Sequence, residues 1–250
     1  MTRISSLTEQ LKHLDRQPRV ALIGAMEQEV ELLKNGLENL QTQTLSGFDF
    51  YTGTLNGVEI VLLKSGIGKV NAAISTTLLL QTFAPDCVIN TGSAGGFDCH
   101  LNVGDVVISD EVRHHDVDVT AFGYEHGQVP GLPPAFIADP LLAEMAEECI
   151  AQLPHTHTVR GLIATGDSFM DCPDRVARTR ELFPTMQAVE MEAAAIAQTC
   201  YRFNTPFIVI RALSDIAGKE SNQSFQQFLE TAAKHSAQMV MAIVQRISEH

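Results

Sequence analysis

Carboxylates recur where this chain passes from strand to helix. In Ala188-Val189-Glu190-Met191-Glu192-Ala193-Ala194-Ala195, a short apolar run ending at Val189 reads as a buried strand, and the alanine-rich segment from Glu192 reads as a helix. Glu190 and Glu192 therefore fall at the carboxyl end of a strand, where α/β sheets bind ligands. Acids also complement a helix N-terminus without any other role, and that plainer reading stands for the pair alone. Glu29 lies just past the strand-like run Val20–Gly24, where a solvated helix acid would equally sit. Ser214-Asp215 closes the apolar run Pro206–Leu213. Thr91-Gly92-Ser93-Ala94-Gly95-Gly96 follows the run Cys87–Asn90 and reads either as a loop whose backbone a ligand can approach or as a plain turn. Three carboxylates gathered at one rim of a sheet repel each other and lose hydration, so such clusters usually serve acid–base chemistry or a metal. Few histidines accompany them, which favours acid–base chemistry and no metal.

Alternating strands and helices must carry these groups. After the helix that begins near Ala25, the runs Phe48–Thr54 and Val58–Lys64 flank Asn56-Gly57, a strong hairpin signal that makes the sheet mixed. Ser65-Gly66-Ile67-Gly68-Lys69 leads into a helix over Val70–Thr82; it reads either as a phosphate cradle or, since it lacks P-loop spacing, as the tight turn that two glycines before a helix usually make. Strands are expected at Val103–Val112 and Val159–Ala164, and helices at Leu141–Leu153, Arg175–Phe183, Glu192–Phe203 and Gln223–Ile247. The alternation implies a single three-layer αβα domain over residues 19–250. Residues 1–18 read as a polar extension outside the core, with a short helix at Ser6–Leu14. The long segment Asp116–Phe136 carries Phe122, Tyr124 and Pro130, which suit an interface, a lid or an Ω-loop packed on itself.

Composition narrows the function classes. The chain has 250 residues, 45% of them apolar, and a net charge of −13 with no basic cluster, which opposes nucleic acid and anionic membranes as partners. Its five cysteines are odd in number and show no CxxC spacing, so reduced thiols in a cytoplasmic protein are expected. No apolar run is long enough to span a membrane or to serve as a signal core.

Six stretches together resemble the bacterial 5′-methylthioadenosine/S-adenosylhomocysteine nucleosidase family, within the purine nucleoside phosphorylase-like superfamily. They are Ile23–Val30, Lys64–Val70, Asn90–Gly96, Asp118–Tyr124, Ala188–Ala193 and Arg211–Asp215, in family order along nearly the whole chain. The resemblance implies a dimeric αβα enzyme that needs no cofactor and acts on small adenosine thioethers. It implies Asp215 as the acid that protonates N7 of adenine, oriented by Ser214, and Glu29 as the base that activates water for attack at C1′. An ordinary Asp is ionised at neutral pH, so the donor's surroundings must hold its proton. Glu192, Glu190 and the Met191 backbone are implied as ribose contacts, with Arg211 bonded to Glu192. Phe169 and Met170 are implied to meet adenine; Ser93, Ala94 and Gly95 to line the water side; and Met26, Ile67 and Phe225 to wall the thioalkyl tail. Val119, Phe122, Tyr124 and Pro130 are implied to enter the partner subunit's site.

Related phosphorylases place arginines where this chain has Glu29 and the Gly92–Gly96 stretch. A carboxylate there repels phosphate and suits water, although Lys64, Lys69 and Arg113 remain candidates to hold an anion. A phosphorylase, a hydrolase of a related nucleoside and a non-enzymatic thioether sensor are the alternatives. Met170, Asp171-Cys172-Pro173 and Phe97–His100 depart from the family pattern.

Overall fold

Each continuous apolar run is a strand of one sheet, and the pairing order brings the strand ends together. The structure, a computed structural model, describes residues 6–12, 14–153, 156–219 and 221–249. Met1–Ser5 and His13 of the expected extension lie outside the described residues. In chain order the elements are α1 (Leu7–Leu11), β1 (Arg19–Gly24), α2 (Glu27–Asn35), β2 (Glu38–Leu45), β3 (Phe48–Leu55), β4 (Val58–Lys64), α3 (Lys69–Phe83), β5 (Cys87–Gly96) and β6 (Val106–His114). They continue with β7 (Phe136–Ile137), α4 (Pro140–Ile150), β8 (Thr158–Thr165), α5 (Pro173–Leu182), β9 (Met186–Glu190), α6 (Ala193–Phe203), β10 (Phe207–Ile216) and α7 (Ser221–Ser248). No described helix is long and apolar enough to cross a membrane.

The sheet is mixed. Parallel pairs join β1 to β4 and β5, β5 to β10, and β8 to β6 and β9; antiparallel pairs join β2 to β3, β3 to β4, β10 to β6, and β5 to β9. Because β10 pairs with both β5 and β6, the strands β5, β10, β6, β8 and β9 close on themselves, and β1, β4, β3 and β2 extend from that ring. Helices α2, α4 and α7 pack on one side, where Val30, Leu142 and Val240 share a core with Leu22 and Ile210. Helices α3 and α6 cover the other, where Leu79 and Ile196 meet Ile23 and Val209. Burying both faces is why these strands read as unbroken apolar runs.

Four boundaries differ from the sequence reading. Strand β2 is absent from that reading because it is an exposed edge strand whose residues carry no buried period. The glycine-rich stretch after Asn90 is not a loop: β5 runs through it to Gly96, paired on β10 and then on β9. Ser214 and Asp215 lie inside β10 rather than beyond it. Residues 1–18 are not wholly outside the core either, since Leu7 is buried against α4 and its N–H donates to Asp139 Oδ2 at 2.9 Å. The Asn56-Gly57 hairpin is present, with positive φ at both residues as a tight two-residue turn requires.

Candidate active site

Strand β5 is the floor on which two of the acids stand. Glu29 sits in the first turn of α2 and is 2% exposed. Its Oε2 accepts the N–H groups of Ala25 (2.8 Å) and Met26 (3.1 Å), and its Oε1 accepts the Ser93 N–H (2.9 Å) and hydroxyl (3.0 Å). A Cβ on Gly92 would stand 2.7 Å from Glu29 Oε1, and φ there is +151°, so only glycine lets the carboxylate lie on the strand. Three residues on, a Cβ at Gly95 would lie 3.1 Å from Asp215 Oδ2. Asp215 is 3% exposed, and Ser214 Oγ donates to its Oδ1 at 3.0 Å. The register of β10 on β5 slips between Leu213 and Asp215, so Asp215 pairs with Gly95. Ser214 is the extra residue of a β-bulge, a device that re-aims a side chain.

Glu192 is the N-cap residue of α6, and its Oε1 accepts the Gly68 N–H at 2.9 Å. Burial first, and then the neighbouring Glu190, push its pKa up to about 8; the Gly68 N–H and Arg211 oppose that rise. Glu190 has a different task. Its carboxylate is held by the Thr165 hydroxyl, by the N–H groups of Glu192 (3.0 Å) and Ala193 (2.8 Å), and by Arg211 Nη2 (2.7 Å). Arg211 therefore pairs with Glu190, not with Glu192 as the resemblance implied, and the same Nη2 donates to Asn90 Oδ1 at 2.6 Å. Both side chains are buried, and their pairing anchors the junction that carries Glu192.

Asp215, Gly95, Phe169, Met170, Val189, Glu190 and Met191 line one narrow cavity together with Ser168. Asp215, Glu190 and Ser168 are its polar lining, and Phe169, 38% exposed, has its ring 5.8 Å from Phe225. The Met26 and Ile67 loops are neighbours, tied by the Ser65 N–H to Gly24 O at 2.9 Å. Ala94 is buried in the same strand as Ser93 and Gly95. The candidate anion carriers are all engaged by carboxylates. Lys64 pairs with Glu27 (2.5 Å), Lys69 with Asp116 (2.6 Å), and Arg113 with Glu111 (3.3 Å) and Glu125 (3.2 Å).

The sequence model of the phosphorylase superfamily matches residues 19–245. A 5′-methylthioadenosine/S-adenosylhomocysteine nucleosidase of Bacillus subtilis is 62% identical over 229 residues, covering 92% of this chain and 99% of the relative. The chain belongs to this nucleosidase family. The family's crystal structures from Neisseria meningitidis, in complex with methylthio-immucillin-A, and from Colwellia psychrerythraea, in complex with adenine, have TM-scores of 0.90 and 0.91 against it. They are 52% and 51% identical, cover 92% and 93% of this chain, and are themselves covered to 99% and 96%.

Of the implied residues, Gly95, Phe169, Met170, Glu190, Met191 and Asp215 line the cavity; Glu29, Glu192, Met26, Ile67, Ser93, Ala94, Arg211, Ser214 and Phe225 are not among its lining residues. Val119, Phe122, Tyr124 and Pro130 lie on the segment between β6 and β7 and line none of it; Phe122 is 82% exposed at the end of a single 3-10 turn. A second pocket, of about 360 Å³, opens between α3 and α6 beside the exposed Val70 and Ile74. Sequence reasoning missed Gly68 and Thr165 as supports of the acids and Asn90 as the acceptor that steadies Arg211. The first is legible in retrospect as a glycine opening α3, with φ of +93° and its N–H turned to Glu192. Asn90 and Thr165 carry no local signal, because their partners lie 121 and 25 residues away.

Proposed function

We infer that this chain is a nucleosidase that hydrolyses the N-glycosidic bond of 5′-methylthioadenosine and S-adenosylhomocysteine, releasing adenine and the thioribose. The observation that carries hydrolysis is Glu29. A carboxylate held by three backbone N–H groups and a serine hydroxyl occupies the place where phosphorolysis needs a cation. The three cationic side chains considered for phosphate, Lys64, Lys69 and Arg113, are already paired with acids.

In this reading adenine enters the cavity at Phe169 and Met170, and Asp215, steadied by Ser214, gives its proton to N7. The base then leaves as a neutral molecule. Glu29 takes the proton of a water as that water attacks C1′; release of the Ser93 hydroxyl from Glu29 Oε1 would open an acceptor site for it. As the C1′–N bond lengthens the ribose becomes cationic, and Glu192 lies beside it. A developing positive charge lowers the raised pKa of Glu192 and favours its anion, so the interaction strengthens towards the transition state. General acid–base catalysis by such groups typically contributes about 10²–10⁴-fold each. Met26, Ile67 and Phe225 supply the apolar wall for the thioalkyl tail.

The active form is a homodimer in this reading. The exposed apolar face of α3 and the pocket beside it receive the partner's segment bearing Val119, Phe122, Tyr124 and Pro130, which completes the tail end of the site. The enzyme is assigned to the cytoplasm, whose reducing conditions suit its five unpaired cysteines.

The test is to incubate the protein with methylthioadenosine, with and without phosphate, and to identify the sugar. Free methylthioribose at the same rate in both supports hydrolysis. A sugar phosphate formed only with phosphate overturns it, and binding without turnover marks a sensor instead.

A further inference from the structure

We propose that Asp98, Cys99 and His100 form a surface site for a borderline transition-metal cation of the zinc class, separate from the catalytic acids. Among the described residues this is the one set of three such side chains whose donor atoms all lie within 4.8 Å of one another. The three donors are a carboxylate oxygen, a thiol sulfur and an imidazole nitrogen. A tetrahedral zinc ion takes these at about 2.0–2.3 Å, so its donors stand about 3–4 Å apart, within reach of side-chain rotation from the observed spacing. Thiolate with imidazole selects against magnesium and calcium, which take oxygen. Three protein donors leave the fourth position to water.

The backbone beneath the triad is fixed at both ends. Phe97 and Leu101 are buried on either side of the three outward-facing residues. The Phe97 N–H donates to Gln187 O (2.8 Å), and the Phe97 carbonyl accepts Arg180 Nε (3.2 Å) and Nη2 (3.0 Å). Within the turn, Asp98 Oδ1 accepts the His100 N–H at 2.8 Å and the Leu101 N–H donates to Asp98 O at 3.3 Å. The Asp98 carboxylate is thereby oriented through one oxygen. Holding the turn in advance removes much of the ordering cost that three consecutive ligands would otherwise carry. The chain's net charge of −13 adds a general attraction for cations. Binding as the thiolate releases the thiol proton to solvent.

Cobalt(II) reports the site directly. Titrated into the reduced full chain without oxygen, it is expected to give a near-ultraviolet thiolate-to-cobalt charge-transfer band that saturates at one equivalent and is displaced by zinc. Cys99→Ser should abolish the band while leaving adenine release unchanged. His100→Ala keeps the thiol and should weaken cobalt binding at least about tenfold, since losing even an outer partner of a ligand costs about 10–100-fold. A missing band in the parent protein overturns the proposal. So does a band that survives Cys99→Ser, which would belong to another thiol, or one that His100→Ala leaves at full affinity.

Discussion

Two carboxylates of this site, Glu190 and Glu192, stand two residues apart and do different work because their surroundings differ. Glu190 is held by a buried arginine, a hydroxyl and two backbone N–H groups, whereas Glu192 receives one backbone N–H and faces Glu190's charge. The raised pKa of Glu192 has a stability consequence. Between the ordinary Glu value near 4.5 and about 8, the folded protein keeps a proton that the unfolded chain has released. Stability from this group therefore falls as pH rises across that window and levels off above it. Glu192→Gln removes the titration, so its melting temperature should gain on the parent's between pH 5 and pH 8. Parallel melting curves against pH in the two proteins would refute the assignment. Asp215→Asn keeps the shape and removes the proton, and adenine release should fall about 10²–10⁴-fold with an unchanged melting temperature. Near-normal turnover would mean that another group supplies the proton. The residue types of the site were legible in the sequence, as acids at strand ends. Which acid is supported by which donor was not, because Thr165 and Gly68 reach the acids, and Asn90 reaches Arg211, only through the fold.

At the scale of elements, β5 holds the proposed base and the proposed acid in relation to each other. Gly92 and Gly95 mark where Glu29 and Asp215 rest on it, three residues or roughly 10 Å apart along the strand. Gly92→Ala should displace the Glu29 carboxylate and strain the backbone, lowering kcat at least about tenfold while the circular dichroism spectrum stays that of the parent. An active Gly92→Ala enzyme would show that the base does not depend on this contact. The strands and helices were mostly readable because sheet burial on both faces leaves long apolar runs. Two things were hidden. Strand β2 has no buried side and so no pattern, and the continuation of β5 through Gly92–Gly96 runs in residues whose composition is that of a turn. Only the pairing of β5 with β10 and β9 makes them a strand.

For the molecule as a whole, Val70, Ile74 and Phe122 are exposed apolar side chains on the surfaces where one subunit is proposed to complete another. Val70 is 69% and Ile74 46% exposed on α3, beside the pocket that α6 also lines. A charge there should disfavour association. Val70→Glu combined with Ile74→Glu is expected to sediment as a monomer and to raise KM for methylthioadenosine more than it lowers kcat, because the tail end of the site is lost while the acids remain. A monomer with parental kinetics would show that each subunit is complete in itself.

The bulge at Ser214 has a consequence of its own. Successive residues of a strand address opposite sides of a sheet, so a single inserted residue exchanges the sides for everything that follows. If β10 kept Ser214 but paired regularly, position 215 would fall opposite Gly96 and the proposed proton donor would turn to the other side, with every side chain still present. In the proposed reaction, the side from which the proton arrives is thus set by one local slip in the pairing of one strand.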